Sequence, residues 1–196
     1  MSVIFGIYEP ARITIVADKR VYNSKTHAYN DNSQKLFAIH EQLCIAIAGN
    51  NAISMAVNLE INKFKEKAER LLTTDDLSDI IKDFYDKLID KNPSLLNHPF
   101  CCIYGGIDKN GKPILTCGTR CNQGYIHKNV PAIIFAPADV DEKECNDILV
   151  KNYTIIRGDF PKNILQKVSE KSKFVSSCGD KWVFSFRTKQ GTHTLI

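Results

Sequence analysis

The chain has 196 residues, a length at which one well-cored unit buries about 70% of its unfolded surface, and it carries 26 Lys and Arg against 22 Asp and Glu. The resulting +4 charge is mild and its basic residues are dispersed, so the chain shows no nucleic-acid footprint. No apolar stretch approaches the ~20 residues that span a bilayer, and the first residues lack the basic segment and apolar core of a signal peptide; a cytoplasmic protein with no membrane partner is expected.

In chain order, Val3 to Tyr8 and Arg12 to Ala17 are rich in β-branched and aromatic residues and predict a tight hairpin across Glu9, Pro10 and Ala11. Leu36 to Ile39 and Leu43 to Ala48 predict a second pair, and Gly49 marks a sharp turn or a close backbone approach. A helix is expected from Asn50 to about Leu72, with Ala52, Met55, Ala56, Leu59, Phe64, Ala68, Leu71 and Leu72 as its apolar stripe. A second helix follows, capped at Thr74, Asp75 and Asp76 and burying Leu77, Ile80, Ile81, Phe84, Leu88 and Ile89.

Pro93 and its polar neighbours end that helix. Strands are predicted at Phe100 to Gly106 and Pro113 to Gly118, joined by a turn from Asp108 to Gly111. Weaker helical patterns cover Asp141 to Tyr153 and Pro161 to Ser169, and strands are expected at Phe174 to Ser177 and Trp182 to Phe186. The order of strands, two helices, strands, two helices and strands predicts an α+β fold in which two antiparallel sheets lie between helix pairs, a four-layer αββα sandwich. No linker interrupts the pattern, so residues 1–196 read as a single domain.

Seven cysteines are an odd number, and most sit inside apolar strand patterns where a thiol acts as a small hydrophobe. Buried free thiols are expected. The spacing from Cys117 to Cys121 does not match a zinc ribbon, and no metal site is predicted.

Four ordered elements carry more chemistry than the rest: Ser2 to Ile7, Ile15 to Arg20 with its Ala-Asp-Lys-Arg, Asp31 to Phe37 with Lys35 before an apolar strand, and Ala46 to Gly49 just before the first long helix. In these the chain resembles the proteasome β-subunit and bacterial HslV family of N-terminal nucleophile hydrolases. The match is specific over the N-terminal half, with one inserted residue before Lys35. It is looser beyond, where Gly105-Gly106, the turn from Asp108 to Gly111, and Ser177-Cys178-Gly179 extend it.

The resemblance implies a peptide or amide hydrolase that needs no cofactor. Ser2 Oγ is its nucleophile once Met1 is removed, and the freed α-amine, ordinarily with a pKa of about 7.7–8.0, is the base. Lys35 would lower that pKa, Asp18 would pair with Lys35, and the Gly49 N–H would face the oxyanion, a role worth about 10²–10³ in rate per donor. Arg20, Cys178 and Gly179 fall at supporting positions. Taken singly, Asp18 reads as a turn residue, Lys35 as a strand-edge charge and Gly49 as a tight turn.

The sequence also departs from the family pattern. Ser replaces Thr at the nucleophile, Ile134 to Asp139 stands where the family has Gly-Ser-Gly, and Val175 and Cys178 stand where it has Asp and Ser. These changes support an alternative, a non-catalytic structural or binding subunit of the same fold. As partners, the family implies a homo-oligomeric ring or part of one, and an ATP-dependent unfoldase such as docks on HslV.

Overall fold

The computed structural model describes residues 2–23, 25–121, 124–155 and 160–196, with the side chains at 96, 120, 121, 124, 154 and 155 left out. Met1 therefore lies outside the described residues, as does the Cys121 side chain. Strands β1 (Ile4–Glu9) and β2 (Arg12–Asp18) form the predicted hairpin, with Glu9 opposite Arg12. The strand β10 (Ala132–Phe135) adds to the free edge of β1, while β11 (Gly179–Ser185) and β12 (Gln190–Leu195) extend the other side. This first sheet has the order β10-β1-β2-β11-β12 and is antiparallel throughout.

The second sheet is equally antiparallel and runs in sequence order: β5 (Leu36–His40), β6 (Leu43–Gly49), β7 (Phe100–Ile107), β8 (Pro113–Cys121) and β9 (Gly124–Asn129). Between β2 and β5 a short ribbon of β3 (Val21–Asn23) and β4 (Ala28–Asn30) stands apart from both sheets. The turn from Asp108 to Gly111 forms as predicted. Asp108 Oδ1 accepts from the Asn110 and Lys112 N–H groups at 2.9 and 2.7 Å, and Gly111 takes φ +76°.

Period-two alternation divides each strand between two cores. Ile4, Ile13, Ile15, Cys44, Ala46, Ile103, Leu115 and Trp182 meet between the sheets. On the outer face of the second sheet, Ile45, Ile47 and Tyr104 pack under α1 (Asn51–Lys67) and α2 (Thr74–Lys91). On the outer face of the first, Val3, Phe5 and Val16 pack under α3 (Glu142–Ile155) and α4 (Phe160–Ser169). The layers are thus helices, sheet, sheet and helices, an α+β architecture of antiparallel sheets.

Two expectations are corrected. Helix α1 ends at Lys67, and the face it buries is Ile53, Val57 and Ile61, while Met55, Leu59, Phe64 and Leu71 are exposed. Two apolar rows run along this helix, and the β-branched row at i, i+4 and i+8 is the one that meets the pleated surface of β6. The second correction concerns Phe174 to Ser177, which form no strand. There the Phe174 N–H donates to Ser172 Oγ at 3.1 Å, and Ser176 Oγ donates to the Cys178 carbonyl at 2.7 Å; side-chain oxygens have replaced ladder partners. Helix α2 buries Leu77, Ile80 and Ile81 as predicted, with Tyr85 added and Phe84, Leu88 and Ile89 packed partly beneath it.

Candidate functional site

Asp18 closes β2 at the point where the chain leaves the sheet, and it is fully buried. Both of its oxygens accept from Lys35 Nζ at 3.0 Å. Oδ1 also accepts from the Val3 N–H at 3.0 Å and Oδ2 from the Arg20 N–H at 2.8 Å. A carboxylate without water is held by such a set of donors.

Lys35 precedes β5 and is 7% exposed, with its third donor turned to the Arg20 carbonyl. Its backbone carbonyl accepts from the Ile47 N–H at 2.8 Å, which fixes the stem against β6. Burial pushes the Asp18 carboxyl up and the Lys35 ammonium down, while their mutual contact pulls each back toward its charged form. The pair is a desolvated unit in which each member depends on the other.

Gly49 sits between β6 and α1 at φ +122°, a left-handed conformation that favours glycine. Space is as restrictive as the dihedral there, because a Cβ would lie 2.1 Å from the Pro99 carbonyl oxygen. The next residue, Asn50, donates its N–H to that same carbonyl at 2.9 Å and caps α1 by accepting from the Ala52 and Ile53 N–H groups.

Ser2, Lys35, Gly49 and Arg20 line one open cleft of about 200 Å³, and Asp18 lies directly behind Lys35. The remaining walls include Val21 and Tyr22 of the β3–β4 ribbon, Phe37, Ile47 and Phe174. Four of the seven predicted site residues are therefore brought together and a fifth supports them.

The Arg20 side chain serves structure around the cleft. Its guanidinium grips Asp31 with Nε at 2.7 Å and a second nitrogen at 2.8 Å, while its remaining nitrogen donates to the Lys173 carbonyl at 3.1 Å. This fork joins the start of the ribbon, its end and the loop before β11.

Cys178 and Gly179 stand outside the cleft. The Cys178 side chain is exposed, and Gly179 pairs with Asp18 across β2 and β11, where a Cβ would press on Leu165 Cδ1 at 2.4 Å and the Ala17 carbonyl at 2.6 Å. Val175 is buried among the outer apolar residues of the first sheet.

Residues that the sequence reading passed over complete the surroundings. Ser176 Oγ accepts from the Lys19 N–H at 3.2 Å, and the Ser176 backbone N–H supports the Asp18 carboxylate. Tyr22 packs its ring against Tyr29 and Phe174 and shares a 2.7 Å hydrogen bond with His27 Nδ1. The hydroxyl run Ser176-Ser177 ahead of Gly179 was the available signal for Ser176; nothing local marked Tyr22.

Among the described residues no group of three or more His, Cys, Asp and Glu side chains stands close enough together to hold a metal, and no helix is long and apolar enough to cross a membrane. Six cysteines, Cys44, Cys101, Cys102, Cys117, Cys145 and Cys178, are free thiols. No family model and no curated protein matches the chain.

Proposed function

We propose that the protein is an amide-bond hydrolase of the N-terminal nucleophile kind, with a proteasome-subunit-like fold and Ser2 as the nucleophile after removal of Met1. One observation carries the reading: a buried Asp18–Lys35 pair whose carboxylate also holds the backbone immediately after Ser2, at a cleft that Ser2, Lys35 and Gly49 line together.

In this mechanism the Ser2 α-amine takes the Oγ proton as Oγ attacks the carbonyl carbon. The Lys35 ammonium keeps that amine neutral at working pH, and Asp18 keeps the ammonium in place. The Gly49 N–H stabilises the oxyanion. Collapse of the tetrahedral intermediate returns the proton to the leaving amine, and water then attacks the Ser2 ester with the α-amine again as base. No metal or organic cofactor takes part. Apolar walls from Val21, Phe37, Ile47 and Phe174 suit an apolar substrate side chain.

Assembly into a homo-oligomeric ring and service to an ATP-dependent unfoldase belong to the same proposal on the resemblance of the four N-terminal elements alone, and a cytoplasmic location is proposed alongside them. A second reading, a non-catalytic subunit of the same fold, is favoured by the buried apolar side chain of Val175 where the resemblance asks for a carboxylate. Intact mass together with a peptide-substrate screen separates the two. Loss of one methionine residue and hydrolysis that disappears in Lys35→Ala support the enzyme; retained Met1, or hydrolysis indifferent to Lys35→Ala, supports the other reading.

A further inference from the structure

The first sheet ends on β12, and that edge is built differently from the other edges of the two sheets. Native edges are kept from pairing with foreign strands by shortness, proline, bulges and charge, lysine above all. At the opposite end of the first sheet, β10 has only 4 residues and lies between Pro131 and Pro137. In the second sheet, β5 breaks register between Ala38 and His40 and gives its Leu36 carbonyl to Gln34 Nε2 at 3.1 Å, while β9 carries Lys128. From Gln190 to Ile196 the sequence holds no proline, lysine, arginine or carboxylate, and its register with β11 is regular throughout. Strand β12 is exposed along most of its length, Leu195 to 70%.

The hydrogen-bond phase of β12 defines what this edge offers. Gly179 and Ile196 exchange both backbone bonds, at 3.0 and 2.9 Å, so Ile196 bonds inward to β11. Bonded and unbonded pairs alternate in an antiparallel ladder. Thr194 and Thr192 therefore bond inward as well, while Gly191, His193 and Leu195 turn their N–H and C=O outward. The Gly191 N–H is taken by the Glu41 carbonyl, in the turn between β5 and β6. Beyond it, His193 and Leu195 are successive outward rungs, each with a donor and an acceptor.

An extended strand is the partner that such a row fits, and a second copy of β12 fits it with two-fold symmetry. With the axis at Thr194, His193 exchanges both backbone bonds with the partner's Leu195, and Leu195 does the same with the partner's His193. Thr194 faces the partner's Thr194 as an unbonded pair, Cα atoms about 4.5 Å apart. Thr192 and Ile196 face each other across the same axis. No charge meets a like charge in these pairs, and Thr and Ile are side chains that favour cross-strand contact. His193 Nε2 bonds to Asp180 Oδ1 at 3.1 Å, which holds the ring against its own sheet and off the edge.

We infer that β12 is a dimerisation edge, at which two copies of this chain pair antiparallel about Thr194 and join their first sheets into one. The contact is isologous and closes on itself, and the prolines and shortness of β10 stop the joined sheet from growing at its far ends. The inference does not rest on the hydrolase reading. It holds equally for a free protomer and for a subunit of a ring, each of which gains one partner.

The test uses the full chain and two variants, each first checked for an unchanged circular dichroism spectrum and cooperative unfolding. Thr194→Lys changes an exposed side chain and sets like charges face to face across the axis, reinforced by Lys181 beside it on β11. Leu195→Pro removes an outward donor and leaves the ladder with β11 intact, so it serves where the lysine variant does not fold. Particle mass is measured by sedimentation equilibrium, and amide exchange is followed at His193 and Leu195.

The mass is expected to halve in each variant, and the His193 and Leu195 amides to exchange slowly in wild type and quickly in Thr194→Lys. Mixing Thr194→Lys with Thr194→Glu is expected to restore the wild-type mass, since opposite charges then meet at the axis. A wild type that is monomeric at its highest soluble concentration overturns the inference. So does a mass that both variants leave unchanged, or one that the mixture does not restore. A monomer that binds a free peptide of residues 190–196 in titration calorimetry assigns the edge to an extended peptide in place of a second copy.

Discussion

Asp18 Oδ1 accepts from the Val3 N–H at 3.0 Å, and the Asp18 N–H donates to the Val3 carbonyl at 3.2 Å, so the residue that follows Ser2 is clamped at both its backbone groups by a single partner. The same oxygen accepts from Lys35 Nζ. One carboxylate thus sets both the path of the chain at Ser2 and the position of the nearest buried ammonium, which makes it the element on which the cleft most depends.

Removing that carboxylate strands a charge. Asp18→Ala leaves Lys35 buried without its anion and is expected to destabilise the fold by about 3–5 kcal/mol, measured as a fall in the urea midpoint at unchanged m-value. The double variant Asp18→Ala with Lys35→Met removes both charges and is expected to recover most of the loss. Equal destabilisation in the single and double variants would show that Asp18 acts through its Val3 and Arg20 contacts rather than through Lys35.

Gly49 gives a second, independent handle on the cleft. Alanine there must adopt φ +122° and place its Cβ 2.1 Å from the Pro99 oxygen, so backbone has to move. Gly49→Ala is expected to cost more than ~1 kcal/mol, the general penalty at such positions, with the excess reflecting displacement of Pro99. Ala48→Gly, one residue away in ordinary strand conformation, is the comparison. A Gly49→Ala protein as stable as wild type would mean the junction can open without loss.

Much of this was legible in the sequence because it is local. The β-branched and apolar runs at Ile4 to Ile7 and Leu43 to Ala48 and the turn at Asp108 are each written within a few residues and formed where predicted, whereas α2 is capped by Thr73, one residue before the expected Thr74. What the sequence hid depends on distant partners. Met55 and Leu59 matched a helical stripe as well as Ile53 and Val57 did, and only the position of β6 decides which row is buried. Strands β9, β10 and β12 carry exposed or mixed side chains and form because edges of existing sheets offer them hydrogen bonds. The roles of Asp31 and Ser176 appear only once Arg20 and Asp18 are placed beside them.

Helix α2 supplies a prediction from acid chemistry. Thr73 and Asp76 form a reciprocal capping box, and Asp76 also takes a two-point grip from Arg70 at 2.8 Å. Its carboxyl is lowered to about 2, first by the Arg70 hydrogen bonds and then by those from Thr73. The unfolded state therefore takes up this proton before the folded one does, so the contribution is complete above the ordinary carboxylate pKa and fades as pH falls toward about 2. Asp76→Ala is expected to cost ~1 kcal/mol at pH 7, the usual value of an N-terminal capping interaction, and progressively less at pH 3. A gap between wild type and variant that is the same at both pH values would exclude the ionised carboxylate as its source.

His40 titrates in the opposite sense. Its Nδ1 accepts from the Gln42 N–H at 3.1 Å, which makes Nε2 the protonated nitrogen and directs its hydrogen bond to the Leu72 carbonyl at 2.8 Å. Both bonds suit the neutral ring, and a second proton on Nδ1 would eject the Gln42 donor. Burial lowers the His40 pKa, the Leu72 carbonyl resisting, so on acidification the unfolded chain is protonated first. Stability from this group is therefore constant above the ordinary histidine pKa of about 6.5 and falls as pH drops below it, until the folded state is protonated as well. Urea midpoints at pH 7.5 and 5.5, in wild type and in His40→Gln, isolate the effect from the other four histidines. The wild-type advantage is expected to shrink at the lower pH, and an advantage that grows instead would place a stabilised charged imidazole at the junction of β5 with the loop after α1.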